Sequence, residues 1–323
     1  MCRWTQSWIC SAALLLLPNI VVAEQNFSAF VSQLADKAKN SGIDAQQVEQ
    51  VTKQVKLFRR STLPVAESSP SLDVYIPAQV TEQKALTAQR FFQQYQAKFS
   101  KISQQYGVQP RFILAQWAML GGFSQQDAAT YPLASVAASY AFAGDEAFSV
   151  EFIAAVRLII NGGYSFDELV ASTDGRLGPL KFSASMLLHC AVDGDGDGKI
   201  DIWQNPLDIY ASAANCLHEG GWDNSQTWGR QVLAPKALYP GRTGLDHQAS
   251  FIEWQQLGVR RYDSGNLPKR KDMQVSLIMP DGVKGRKYIV YNNYRVLYQQ
   301  HPDHYLMLAI AHLSERIKSL GID

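Results

Sequence analysis

The chain has 323 residues, of which 46% are hydrophobic, and its formal net charge at pH 7 is +1. This length and apolar content are enough for a large core, so we expect one large domain or two closely joined ones. The balanced charge shows no concentrated basic face, which argues against nucleic acid as a partner.

The first 23 residues have the pattern of an export signal. Arg3 is the only charge before Glu24, an apolar stretch runs from Ile9 to Leu17, and Ala23 precedes the predicted cleavage site. The 30 basic residues include Arg3, so its removal leaves 29 basic against 29 acidic residues. No later run is long enough to span a bilayer. We therefore predict a soluble periplasmic protein without a transmembrane anchor.

Residues 24–80 are predicted to form a helical hairpin and a linker. Apolar side chains recur at helical spacing from Phe27 to Ala38, Gly42 ends this helix, and Asp44 can cap a second one that runs to Val55. Ser, Pro and Glu cluster in Ser61–Pro70, which we expect to be disordered.

Residues 81–323 are predicted to form the main domain. A long amphipathic helix runs from Thr81 to Tyr106, Gly107 stops it, and Pro110 opens a helix whose apolar residues indicate complete burial. We place His189, on an apolar helix, in the core. Further helices are predicted over residues 149–161, 184–191, 206–219 and 305–320.

Near the C-terminus the pattern changes to β-structure. Gln274–Met279 and Lys287–Tyr291 flank the turn Pro280-Asp-Gly282 and read as a small hairpin. The predicted fold class is therefore mainly α, with a small antiparallel β element near the C-terminus.

Residues 193–204 have the pattern of an EF-hand-type cation loop. The first, third and fifth ligand positions are aspartates, the seventh offers a carbonyl, and the ninth is an aspartate. The twelfth position, where a bidentate Glu normally closes the shell, is a neutral glutamine. These positions are Asp193, Asp195, Asp197, Lys199, Asp201 and Gln204. We predict a weak, structural Ca²⁺ site, and a solvated acidic turn without metal is the alternative.

Several short motifs follow one another in an informative order along the mature chain. They are Tyr106-Gly-Val-Gln-Pro110, Glu151-Phe-Ile-Ala-Ala-Val-Arg157, Ile202-Trp203, Ala214-Asn215, Gly221-Trp222, Trp228-Gly-Arg230, Leu257-Gly-Val-Arg-Arg261, Met279-Pro-Asp-Gly282 and Tyr291-Asn-Asn-Tyr-Arg-Val296. In this order and spacing the chain resembles the B-type lytic murein transglycosylases, periplasmic enzymes that cleave peptidoglycan glycan strands. The resemblance implies a lysozyme-like helical core with a cleft for sugar chains.

The residue that carries the family's chemistry is absent. That family uses one Glu, near the end of the central helix, first as acid and then as base. When Val108 and Pro110 are aligned with the family's pattern, Ala118-Met-Leu-Gly-Gly-Phe-Ser124 corresponds to the segment that carries the acid, and Leu120 falls at the position of the acid. No Asp or Glu occurs between Val108 and Gln126. Asp127 is the fallback candidate for a relocated acid.

The family's second signature segment is also altered. It corresponds to Gly175-Arg-Leu-Gly-Pro-Leu-Lys-Phe-Ser-Ala-Ser-Met-Leu187, in which Lys181 replaces a glutamine and Ser185 is retained. Near the C-terminus, an Asn and a Ser expected in the cleft are absent, and Gln300 and Pro302 occupy that segment. The resemblance and the aromatic pattern together suggest substrate-binding residues Phe123, Lys181, Ser185, Tyr294 and Tyr305.

Cys190 and Cys216 bracket the acidic loop, at positions where the family tends to have tyrosine. In an oxidising compartment they can form a disulfide, and two buried free thiols are the alternative.

Three functional hypotheses follow. The leading one is a family member that binds glycan strands, or a cell-wall enzyme partner, without cleaving them. The second is an active transglycosylase with a relocated acid such as Asp127. The third is a structural protein-interaction module with a filled cleft.

Overall fold

The computed structural model describes residues 17–59, 70–123, 130–236, 238 and 240–323. The first 16 residues of the predicted export signal and nearly all of the predicted disordered segment lie outside these ranges. Two compact units are present, one formed by Met1–Pro64 with Ala129–Gly175 and the other by Val65–Ala128 with Arg176–Asp323. The predicted boundaries at residues 23 and 80 stay predictions.

The described residues are mostly helical. The helices are α1 (Leu17–Asn40), α2 (Ala45–Thr52), α3 (Leu72–Gln79), α4 (Glu82–Tyr106), α5 (Pro110–Leu120), α6 (Leu133–Phe142), α7 (Ala147–Asn161), α8 (Ala184–Cys190), α9 (Pro206–Glu219), α10 (Phe251–Gln256), α11 (Asn292–Gln300) and α12 (His304–Lys318). The strands are β1 (Tyr131–Pro132), β2 (Val170–Ala171), β3 (Gly229–Leu233), β4 (Ala249–Ser250), β5 (Arg260–Arg261), β6 (Gln274–Ile278) and β7 (Lys287–Val290). None of the described helices is both long enough and apolar enough to cross a bilayer.

The first unit contains the predicted helical hairpin. Gly42 adopts a φ of 88° after α1, and the Asp44 side chain caps α2 by accepting a hydrogen bond from the Gln47 N–H at 2.9 Å. Helices α6 and α7 pack together and complete the unit with the two-stranded pair β1–β2.

The second unit is built around α5. Every residue from Pro110 to Ala118 is buried, and α4, α9 and α12 all pack on this helix. The sequence signals for its neighbour α4 are confirmed, because Thr81 caps its start and Gly107 ends it in the left-handed conformation. The prediction of a buried central helix is therefore correct.

The C-terminal β element is larger than the predicted hairpin. Strands β6 and β7 pair as expected, but they lie inside a five-stranded antiparallel sheet with the order β4-β6-β7-β3-β5. An apolar cluster that includes Phe251, Trp254 and Ile289 is buried beside this sheet. The mainly α fold class with a small antiparallel β element is confirmed.

His189 corrects one expectation. It lies on α8, as predicted, but its side chain is exposed rather than buried in the core. The neighbouring position Cys190 takes the buried face of this short helix instead.

The end of α5 makes a close backbone contact with the segment after residue 175. A Cβ atom at Gly121 would lie 2.4 Å from the carbonyl oxygen of Pro179 and 2.7 Å from its Cβ. Real Cβ atoms do not approach other atoms this closely, so the contact requires glycine.

We expect Gly121→Ala to destabilise the protein by about 3 kcal/mol, because the added methyl group must displace the Pro179 backbone. The matched control is Gly122→Ala. Its Cβ would meet no atom within 4 Å, although the φ of 58° is unfavourable for alanine. The control should therefore cost only about 1 kcal/mol. Urea unfolding measures both variants, and equal losses would show that the contact is not restrictive.

Candidate functional site

Three segments singled out in the sequence meet at the end of α5. Leu120 is the last residue of this helix and is half-buried. The contact of Gly121 with Pro179 places the altered signature segment beside it. Gly178 in turn packs against the backbone of Ile202. A Cβ atom at position 178 would lie only 2.5 Å from the Ile202 carbonyl oxygen, so this contact also requires glycine. The end of α5 is thus joined by backbone packing, through Pro179 and Gly178, to the far end of the acidic loop.

Phe123 is part of a half-exposed aromatic surface. Its ring centroid lies 4.7 Å from that of Phe91 and 5.7 Å from that of Trp117, and Phe91 is 4.8 Å from Trp117. Phe123 has a φ of 60°, a left-handed conformation that costs a non-glycine residue about 1–3 kcal/mol. The packing of its ring against α4 holds it there. Phe91 and Phe123 present partly exposed faces, and Trp117 is buried beneath them.

Lys181 and Ser185 lie on the turn and helix that follow Pro179. Leu177 and Phe182 pair as an isolated antiparallel bridge, and Lys181 closes the turn with a φ of 54°. The Ser185 hydroxyl lies 2.9 Å from that of Ser183, which caps the start of α8. Both predicted residues are half-buried and belong to the segment that packs on α5.

Tyr294 and Tyr305 make their contacts with other elements. Tyr294 has no exposed surface, and its hydroxyl lies 2.9 Å from His304 Nδ1. Because a buried ring has no face to offer a sugar, we leave Tyr294 out of the candidate glycan site. Tyr305 is half-buried, donates a hydrogen bond to Asp281 and packs edge-on against Tyr75 at 5.3 Å.

A cation lies close to the end of α5. The Lys84 ammonium is 3.6 Å from the Met119 sulfur and 3.1 Å from Gln79 Oε1, and burial lowers its pKa. A positive charge at the C-terminal ends of α3 and α5 complements both helix dipoles. No residue of α5 carries a carboxylate. Asp127, the fallback acid, lies outside the described residues.

The acidic loop gathers the three aspartates predicted from its spacing. Carboxylate oxygens of Asp193, Asp195 and Asp197 all lie within 4.8 Å of one another. The Asp193 carboxylate accepts hydrogen bonds from the backbone N–H groups of Gly198 at 2.7 Å and Gly196 at 2.6 Å. These bonds lower the pKa of Asp193, with the Gly198 bond as the largest cause. Hard oxygen donors in this arrangement fit a calcium ion.

The remaining predicted positions of the loop play different parts. One oxygen of Asp201 accepts hydrogen bonds from the N–H groups of Trp203 and Gln204, each at 2.9 Å, so this carboxylate stabilises a turn. The Gln204 side chain is exposed. The Lys199 N–H bonds to Asp197 at 2.8 Å, which leaves the Lys199 carbonyl as the backbone donor that the spacing predicts.

Asp208 faces the same loop and was not anticipated from the sequence. It is fully buried in the first turn of α9, and it accepts hydrogen bonds from the N–H groups of Gly194 at 2.7 Å and Asp201 at 2.8 Å. Burial raises its pKa, and the nearby Asp195 and Asp193 charges add to this effect. The twelve-residue template hid Asp208, because it lies beyond Gln204. The sequence feature that could have indicated Asp208 is an acidic residue in the first turn of the helix that follows the loop.

A disulfide joins the two ends of this region. Cys190 and Cys216 are bonded, with their Cα atoms 4.9 Å apart. Side-chain hydrogen bonds reinforce the connection, from Asn215 Nδ2 to the Cys190 carbonyl at 3.0 Å and from the Val192 N–H to Ser212 Oγ at 3.0 Å. The end of α8, where the acidic segment begins, is therefore held covalently against the last turn of α9.

Comparisons with known proteins agree with this architecture. The protein-family model described as the transglycosylase SLT domain matches residues 26–315 of this chain. Membrane-bound lytic murein transglycosylase B of Escherichia coli K12 is 25% identical over 299 residues, covering 85% of this chain and 79% of that protein.

Two solved structures illustrate the similarity in fold. SltB3 from Pseudomonas aeruginosa, in complex with NAG-anhNAM-pentapeptide, has a TM-score of 0.75 at 25% identity over 90% of this chain and 79% of that one. Slt35 from Escherichia coli, in complex with calcium, has a TM-score of 0.74 at 21% identity over 90% and 93%. The resemblance inferred from the motifs is thereby confirmed: this chain belongs to the transglycosylase SLT-domain family.

Proposed function

We propose that this protein binds peptidoglycan glycan strands in the periplasm and does not cleave them. The observation that carries the proposal is Leu120, which ends the buried helix α5 where the family's acid is expected. Cleavage of a glycosidic bond requires a group that protonates the leaving oxygen, and a leucine side chain has no proton to give. Loss of a general acid costs about 10²–10⁴ in rate.

Helix α5 itself carries no carboxylate that could replace the acid. Lys84 is a titratable side chain whose contacts place it near the end of this helix. An ammonium group is a weak acid at neutral pH, and while protonated it cannot accept the proton that the family's second step requires. This electrostatic setting favours binding over acid–base chemistry.

The exposed groups suit a sugar chain. Aromatic faces pack against the apolar faces of pyranose rings, and Phe91 and Phe123 present such faces close to Leu120. Lys181 and Ser185 add polar groups on the neighbouring segment. SltB3, which has the same fold, is described in complexes with both NAG-anhNAM-pentapeptide and NAG-NAM-pentapeptide. These points support glycan strands as the ligand.

We also propose a structural Ca²⁺ ion in the acidic loop. Its ligands would be the carboxylates of Asp193, Asp195 and Asp197 and the Lys199 carbonyl, while Asp208 holds the loop backbone from α9 through its bonds to the Gly194 and Asp201 N–H groups. Slt35 is described in complex with calcium. None of the ion pairs among the described residues involves Asp193, Asp195 or Asp197, so a bound ion would relieve the repulsion between these carboxylates.

Incubation of the purified protein with peptidoglycan sacculi tests the main proposal. We expect no anhydro-muropeptides above a no-protein control by mass spectrometry, because no acid stands at position 120, and we expect the protein to pellet with the sacculi. Product that Asp127→Asn abolishes would establish the relocated acid instead. Neither product nor binding would favour the protein-interaction module.

The aromatic surface makes a separate prediction for the same pelleting assay. Phe123→Ala removes a partly exposed ring and should weaken binding about fivefold to tenfold, which corresponds to about 1 kcal/mol. Tyr262→Ala is the matched control, because Tyr262 is an aromatic residue with 64% of its surface exposed on the loop after β5. Equal effects of both changes would contradict a specific role for Phe123, and circular dichroism checks that both variants are folded.

Calcium should raise the melting temperature. For a site with an extracellular-type Kd of about 10⁻⁴–10⁻³ M, 10 mM Ca²⁺ should stabilise the fold by about 1–3 kcal/mol, a shift of a few degrees. Asp195→Asn should reduce this shift, whereas Asp246→Asn, which changes an exposed aspartate outside the loop, should not. Scanning calorimetry with and without EDTA measures it, and an unchanged melting temperature would speak against the site.

A further inference from the structure

The disulfide and the acidic loop form one closed segment. Cys190 is the last residue of α8, Cys216 lies in the last turn of α9, and the bridge spans a separation of 26 residues. All the carboxylates of the loop lie inside this span. The bridge therefore holds the end of α8, from which the loop emerges, against the last turn of α9, and the segment that follows Cys190 bonds to α9 through Ser212 and Asp208.

Besides the packing of α8 on α9, side-chain hydrogen bonds join the segment after Cys190 to α9. Asn215 Nδ2 bonds to the Cys190 carbonyl, and Ser212 Oγ bonds to both the N–H and the carbonyl of Val192, at 3.0 and 3.3 Å. Such bonds exchange readily with water when a loop opens, because each gives only a modest net free energy. The disulfide differs from these hydrogen bonds, because it stays intact in both the open and the closed conformation of the loop.

The charge of the loop opposes its closed form. Between residues 193 and 208 the chain carries five carboxylates and a single ammonium, that of Lys199. Asp208 is fully buried, with both oxygens accepting bonds from loop N–H groups. Bringing the aspartates together therefore costs electrostatic free energy when no cation is present. A restraint at the base of the loop reduces the conformational freedom available to the open form.

We propose that the Cys190–Cys216 disulfide preorganises the acidic loop and thereby sets its affinity for Ca²⁺. This inference rests on the calcium site proposed above. With the bridge, the segment that enters the loop is held on α9, and the ion meets a nearly closed site. Without the bridge, binding must also drive closure, which lowers the apparent affinity.

Calorimetric titration with CaCl₂ tests the proposal on the full chain. We expect the Cys190→Ala/Cys216→Ala variant to bind about tenfold more weakly than the bridged protein, since the bridge restrains a loop of moderate length and polar bonds retain part of the closure. Alanine suits both positions, because the two cysteines are buried. Treatment of the bridged protein with a phosphine reductant should weaken binding to the same extent, and the alanine variant should not respond to the reductant.

The possible results separate this inference from the calcium site itself. Equal dissociation constants with and without the bridge would overturn the preorganisation and leave the site standing. Absence of calcium binding in the bridged protein would overturn both. Should the alanine variant fail to fold, reduction of the folded wild-type protein gives the same comparison.

Limited trypsin digestion in EDTA adds a readout that does not involve the metal. Lys199 is an exposed cleavage point inside the loop. Cleavage needs local opening of the backbone, so the unbridged protein should be cut there several times faster. Equal rates of cleavage would contradict a restraining role for the bridge.

Discussion

The burial of α5 on all sides is the constraint on which the second unit depends. A helix enclosed by α4, α9 and α12 cannot shift without disturbing all three, so its C-terminal end is fixed in space. Gly121 then brings the Pro179 backbone into contact with that end, and Gly178 does the same for Ile202. Two glycine contacts thus connect the end of the central helix to the acidic loop, and no larger side chain would allow them.

This framework explains how the chemistry and the fold can change separately. Position 120 lies at the rim of the packed helix, half-buried, so a leucine there is tolerated by the core. A carboxylic acid at the same position would be partly desolvated, which would raise its pKa. Catalysis requires such a raised pKa, whereas the stability of the fold does not. A protein that only binds glycan strands, as proposed here, is free of this condition.

Much of the helical framework could be predicted from the sequence, because long helices carry periodic apolar stripes and clear ends at Thr81, Gly107 and Pro110. Strands β4 and β5 have two residues each, too few to show alternation, and β3 reads Gly-Arg-Gln-Val-Leu, which does not alternate, so only the β6–β7 hairpin could be predicted. In the candidate site, spacing identified three aspartates of the loop. Asp208 depends on how α9 folds back on that loop, and the burial of Tyr294 depends on tertiary packing, neither of which a local pattern contains.

The bridge and Leu120 are connected through a series of backbone contacts. The Cys190–Cys216 bond fixes the end of α8, where the acidic segment begins, on the last turn of α9. The far end of that loop supports Gly178, and Gly178 precedes the segment that packs on the end of α5. A restraint on the loop therefore also restrains one wall of the proposed glycan surface. For a protein that binds without catalysis, such rigidity is useful, because a preformed surface loses less conformational entropy when a sugar chain binds.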